Sequence, residues 1–213
     1  ENFKPEMVLE NRLDEVMSSA SAGGLAGGLR GFVDRVASAD PLPGGGSVAA
    51  LAGALGTALG QMAVRITKGK KDFRQHSDRF GDALDRLAPY TAALLELVDA
   101  DSEAYRRVIS AYRLPKTSPE REKAIQDALI RATEIPSRTA NCASEALRIL
   151  EELRAIVYPN VASDLNVGLQ MLRSALRGAI LNMRTNLTAV NDADVRIRYE
   201  DMIADWEQTL RGN

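Results

Sequence analysis

Residues 47–64, SVAALAGALGTALGQMAV, decide what kind of protein this is. They form an uncharged run of 18 residues, close to the length that crosses a bilayer as a helix. The content argues for a protein interior instead. Ala and Gly dominate, Thr57 and Gln61 sit within the run, and Arg65, Lys68, Lys70 and Lys71 follow at once. Ala49, Gly53, Gly56, Gly60 and Ala63 recur at three- and four-residue spacing and make a stripe of small residues. Such a stripe lets another helix approach closely, within a subunit or across a dimer. The run therefore reads as a buried core helix with Ser47 as its N-cap. No membrane is expected as a partner.

Working outward, helical spacing continues in both directions and strand signals are scarce. Upstream, ADPLPGGG (residues 39–46) is a punctuated loop that stops a helix carrying Phe32, Val33 and Val36. Before it, SSASAGGLAGG (18–28) reads as a flexible linker, preceded by a short helix over about Pro5 to Ser18. The main domain is thus expected over 29–213, with 1–28 as an N-terminal helix and linker. Downstream, a long helix is expected from Ser77 to about Leu114, bent at Pro89. Another starts with Pro119 in its first turn and reaches about Val157, interrupted near Pro136. Ser163 caps a helix to about Val190, and a last helix ends near Arg211. The fold class is all-α, a multihelical bundle or array.

Composition bounds the chemistry. With a net charge of −2 the chain has no broad basic surface, so no nucleic-acid partner is expected. Cys142 is the one cysteine and His76 the one histidine. An internal disulfide and a thiolate metal cluster are excluded, and a zinc site would need several carboxylates. Neither residue is expected to be catalytic: His76 reads as exposed, Cys142 as a small buried side chain.

One carboxylate stands out. In the long middle helix Leu87, Leu94, Val98, Tyr105 and Val108 share a face, and Asp101 of LVDAD falls on it. Asp99 does not, since residues two apart on a helix lie about 200° apart. An inward carboxylate is costly unless bonded or paired, and its pKa tends to rise. Asp101 is therefore a candidate general acid or base; a structural Asp bonded to a helix end or an Arg fits the same spacing.

Two further patterns suggest a ligand. Gly44, Gly45, Gly46 and Ser47 leave backbone N–H groups uncovered beside a helix N-terminus, suited to anionic or carbonyl groups, or simply to a tight turn. The pattern matches no dinucleotide or phosphate-loop signature. In SDLNVGLQMLRSALRGAILNMRTNL, the row Asp164, Gly168, Met171, Ala175, Gly178, Asn182 and Asn186 lies beside a leucine face. An acid and two amides at its ends can flank a polar ligand. Equally, Asp164 can complement the helix dipole and the Asn residues can tie helices together. Lys68, Lys70 and Lys71 form either a solvated helix end or a contact for an anionic substrate tail.

FVDRVASADPLPGGGSVAALAGALGTALGQM, ITKGKKDF, LVDADSEAY, LPK with TSPE, ASDLNVG and NMRTNL occur in this order. Together they resemble the cyclodeaminase domain of formiminotransferase-cyclodeaminase and the related methenyltetrahydrofolate cyclohydrolases, over about Leu29 to Arg211. The resemblance implies a homodimer with a dimerising helical pair and an active site at the subunit interface. It places Asp101 at the family's catalytic acid, in agreement with the face argument. It also implies a tetrahydrofolate derivative as substrate, polyglutamylated forms included, with no metal or organic cofactor. The implied reaction turns 5-formiminotetrahydrofolate into 5,10-methenyltetrahydrofolate plus ammonia in histidine breakdown, in the cytoplasm. A cyclohydrolase, or a folate- or partner-binding helical dimer without catalysis, are the alternatives. FKPEMVLENRL resembles the tail of a fused upstream formiminotransferase domain.

Overall fold

The computed structural model describes residues 24–211. The helix expected over Pro5 to Ser18 lies outside them. Gly24–Val36 forms α1, so the part of the expected linker from Gly24 to Gly28 is helical. The three- and four-residue spacing of Leu25, Leu29, Phe32 and Val36 extends the apolar pattern back through the glycines. After α1, Ser38 and Asp40 form local turns, with the Leu42 N–H donating to Asp40 Oδ1 at 3.0 Å.

The second unit of the chain, residues 44–213, holds five helices among the described residues. They are α2 (Gly45–Lys68), α3 (Ser77–Tyr112), α4 (Arg121–Glu151), α5 (Ala162–Leu187) and α6 (Ala193–Arg211). Short 3-10 turns, Lys71–His76 and Pro159–Val161, precede α3 and α5. No strand occurs among the described residues. The helices α2 to α5 form a ring in which each packs on the next and α5 returns to α2, while α6 covers α4 and α5.

The small-residue stripe sets the register. A Cβ added to Gly45 would meet Asn182, one on Gly53 would meet Ala175, and one on Gly56 would press on Leu172. Gly178 lies against Ala49, and Gly168 against Gly56 and Gly60. Positions rise on α2 as they fall on α5, so the pair is antiparallel and in close backbone contact throughout. Gly60 also leaves room for the Leu150 methyls of α4. The run that is long and apolar enough to cross a membrane is thus largely buried within this domain, with Ala50, Ala63 and Val64 at 0% exposure.

Several local expectations are corrected. Ser47 is the third residue of α2, not its cap; Gly44 occupies the cap position without a side-chain bond. Ser163 is the second residue of α5, behind a 3-10 turn, and Pro119 precedes α4 by two residues. The interruption expected near Pro136 is absent, since α4 runs past it and ends at Glu151 rather than Val157; α3 spans Pro89 as one helix, as expected. At Pro136 the reason is visible. Proline has no N–H for the carbonyl four residues back, and Asn186 Nδ2 donates to that Ala132 oxygen at 2.7 Å.

The face of α3 also differs at its far end. Leu87, Leu94 and Val108 are buried and Val98 is half-buried, but Tyr105 is exposed. Helices α2 and α3 are antiparallel, with Gly53 at Leu94 and Ser47 at Asp101. α2 begins only at Gly45, so Tyr105, one turn beyond Asp101, projects past its start. Beyond that point burial moves to Ala104, Val108 and Ala111, on the side packed against α4.

Candidate functional site

Asp101 points inward from α3 at the N-terminus of α2, half-buried, while Asp99 is exposed. Its Oδ2 accepts the Ser47 N–H at 2.8 Å and lies 3.1 Å from Ser47 Oγ. That hydroxyl is also 2.7 Å from the Val98 carbonyl and 3.3 Å from Ser102 Oγ. The single hydroxyl proton faces both acceptors, the Val98 carbonyl at the shorter distance. One N–H of the GGGS turn thus finds its anion inside the chain: the Asp101 carboxylate takes the Ser47 amide in the first turn of α2. Gly46 makes this possible, because a side chain there would overlap the carboxylate. Ser47 is fully buried, and Gly46 and Ser47 therefore serve first to hold Asp101.

Burial pushes the Asp101 carboxyl above the usual carboxylate range, opposed by the two bonds from Ser47. Desolvation outweighs those two bonds, both of which reach the same oxygen. The result is a carboxyl able to hold or release a proton at a higher pH than a surface Asp, which is what acid–base work asks of it.

Asn182 joins this end of the bundle. It is half-buried beside Gly45, its Nδ2 donating to the Gly178 carbonyl at 2.8 Å. Its amide oxygen carries no partner among the described residues. Gly45 is exposed and Gly44 half-buried, so this corner is open to solvent. Asn186, one turn further on, is committed to Ala132. Its Nδ2 ties α5 to α4, the helix-tying alternative that the spacing left open.

The remaining expected residues lie elsewhere in the protomer. Ser47 and Lys68 are 21 positions apart on one unbroken helix, which is about 32 Å at 1.5 Å per residue. Lys68 and Lys71 are exposed there, and Lys70 holds its ammonium 4.9 Å from the Tyr158 ring centre. Asp164, half-buried in the first turn of α5, is 18 positions from Asn182, or about 27 Å. The expected residues therefore fall into two groups at opposite ends of the α2–α5 pair. Asp101, Gly44, Gly45, Gly46, Ser47 and Asn182 form one, Lys68, Lys70, Lys71 and Asp164 the other. Ser102, whose hydroxyl extends the Ser47 contact, was not singled out in the sequence; its place beside Asp101 was the available signal.

Of the two other expectations, Cys142 is buried, with its thiol pushed up by desolvation. His76 is half-buried rather than exposed, its ring edge-on to Phe80 at 6.1 Å.

Comparison with known proteins identifies the family and the fold. Residues 28–205 match the family model described as formiminotransferase-cyclodeaminase. Mouse (Mus musculus) formimidoyltransferase-cyclodeaminase is 37% identical over 172 residues, covering 77% of this chain and 31% of the mouse protein. The chain thus spans about a third of the length of that relative. A methenyltetrahydrofolate cyclohydrolase from Methylorubrum extorquens is 33% identical over 165 residues, covering 76% of this chain and 79% of the bacterial protein. The crystal structure of formiminotetrahydrofolate cyclodeaminase from Thermotoga maritima superposes with a TM-score of 0.80 at 25% identity, covering 86% and 90% of the two chains. The chain belongs to the formiminotransferase-cyclodeaminase family.

Proposed function

We propose that this domain is a formimidoyltetrahydrofolate cyclodeaminase in which Asp101 carries the proton. The supporting observation is one carboxyl, raised above the ordinary range and held against the N-terminus of α2, with an edge open to solvent beside Asn182. In the reaction the formimino group of 5-formiminotetrahydrofolate is protonated as an amidinium, and N10 attacks its carbon, forming a third C–N bond there. Asp101 takes the N10 proton and returns a proton to the exocyclic nitrogen, whose bond to carbon breaks as ammonia leaves. No oxidant, metal or external nucleophile enters the balance. Both reacting atoms belong to one molecule, so the protein supplies orientation and a proton carrier.

The site is proposed to be completed by a second copy of the chain. One protomer leaves its two groups of site residues at opposite ends of α2, and the outward face of that helix is apolar at Val48, Leu55, Met62 and Ile66, each 36–42% exposed. Seven-residue steps put Val48, Leu55 and Met62 on one stripe. A homodimer across it would bring a partner's Lys68, Lys70 and Lys71 within reach of the γ-linked carboxylates of a polyglutamylated substrate. A cytoplasmic role in histidine breakdown accompanies this reading, as does a fused formiminotransferase domain, consistent with the greater length of the mouse relative.

The second reading is methenyltetrahydrofolate cyclohydrolase, favoured by the Methylorubrum relative, 79% of whose length is covered. Supplying each substrate in turn and following the methenyl absorbance separates them. Methenyl formation from the formimino compound, with ammonia released in equal amount, supports the deaminase. Methenyl loss alone would assign the cyclohydrolase.

A further inference from the structure

The side of α5 turned away from α2 carries a cavity of about 260 Å3, lined by Arg154, Asn166, Gln170, Arg173 and Arg177. Arg173 is 8% exposed, and its Nη2 donates to Glu151 Oε1 at 2.6 Å. Arg154 Nη1 lies 3.7 Å from the other oxygen of the same carboxylate. Arg177 forms no ion pair among the described residues. Two guanidinium groups thus share the Glu151 carboxylate and a third, Arg177, lines the same polar hollow, three positive charges to one negative. No side-chain nitrogen is sealed from solvent without a partner among the described residues, so the Arg173 N–H groups not bonded to Glu151 give onto the cavity.

A buried guanidinium held by one carboxylate is already neutralised; the other two have no structural need to converge there. Arg154 and Arg177 are exposed and screened by solvent, so they stay free to contact an anion that enters the hollow beside the buried Arg173. Planar N–H forks match the oxygens of phosphate or carboxylate in pairs, and the amides of Asn166 and Gln170 can bond whichever oxygens remain. We propose that this cavity binds a small polyvalent oxyanion through Arg154, Arg173 and Arg177. It is separate from Asp101, lying on the opposite face of α5 from the α2 contact and nine positions from Asn182, about 13 Å along the helix. It does not depend on which folate reaction the domain performs. The oxygens can come from a phosphate group or from clustered carboxylates such as a γ-glutamyl chain.

Calorimetric titration of the full chain with pyrophosphate, and separately with tri-γ-glutamate, tests this at low ionic strength. The comparison protein is Arg154→Gln/Arg177→Gln, which alters two exposed side chains and leaves the Arg173–Glu151 pair intact. One equivalent of at least one anion should bind, and the double variant should bind it about tenfold or more weakly, in line with losing charged hydrogen bonds. Asp101→Asn should bind it as the unaltered chain does. Pyrophosphate alone would identify a phosphate site, and tri-γ-glutamate alone a carboxylate-chain site. Failure of both at millimolar concentration, or equal binding by the double variant, would overturn the proposal.

Discussion

Gly46 and Asp101 occupy the same space: a Cβ on Gly46 would overlap the Asp101 carboxylate. The absence of one side chain on α2 is what allows a carboxyl of α3 to reach the Ser47 amide. Gly46→Ala should therefore displace the carboxylate and break its 2.8 Å bond. Overpacking of this kind costs about 1–3 kcal/mol, readable by urea unfolding, and turnover should fall with it. Gly45→Ala is the control. The nearest atom to its Cβ, Asn182 Nδ2 at 3.5 Å, is at ordinary contact distance, so stability should hold.

The Asn186–Ala132 bond makes a different prediction. Asn186→Ala leaves the Ala132 carbonyl without a donor inside the bundle, a loss of about 1–3 kcal/mol. Adding Pro136→Ala restores a backbone N–H for the same carbonyl, so the double variant should recover much of the loss. A double-mutant cycle by urea unfolding measures the coupling. Additive losses would show that Asn186 acts elsewhere.

These two pairs also mark what the sequence discloses. The inward turn of Asp101 and the outward turn of Asp99 follow from helical periodicity alone, because a helix fixes which residues share a face. The small-residue stripe on α2 likewise announces a close neighbour. Periodicity does not say where that neighbour ends, so Tyr105 was placed inward although α2 stops short of it. Nor does it reveal a tertiary partner for an orphaned carbonyl. Pro136 therefore reads as an interruption, and spacing alone leaves Asn186 open between a ligand contact and the helix tie that its bond to Ala132 makes. Ser47 read as a cap because its type suits one, whereas a carboxylate 54 positions away claims its amide. The separation of the lysines from Asp101 follows from α2 running unbroken between them.

Burial raises the pKa of Asp101, and stability should depend on pH accordingly. Between the ordinary Asp value, about 3.9, and the raised folded value, the native state holds more protons than the unfolded chain. Stability therefore falls as pH rises through that interval, and the penalty is complete above it. Asp101→Asn has no such penalty. Its thermal stability relative to the unaltered protein should be lowest near pH 3 and increase to a plateau as pH rises. A difference that shrinks with rising pH would contradict the assignment.

The outward stripe of α2 should govern assembly. Leu55→Glu and Met62→Glu change exposed positions, so the fold should persist by circular dichroism while sedimentation shifts from dimer to monomer. Activity should fall with the dimer. A fully active monomer would refute a site completed by two copies.

The central claim is that Asp101 moves the proton. Asp101→Asn keeps the shape of the side chain and can still accept the Ser47 N–H, but it cannot exchange a proton with substrate. General acid–base catalysis is typically worth about 10²- to 10⁴-fold. The direct measurement is kcat for methenyl formation from 5-formiminotetrahydrofolate, beside folate affinity, for Asp101→Asn and Asp99→Asn. The account predicts a fall within that range for Asp101→Asn, with folate still bound, and near-unaltered turnover for the exposed Asp99→Asn. Retained turnover in Asp101→Asn together with a damaged Asp99→Asn would contradict it.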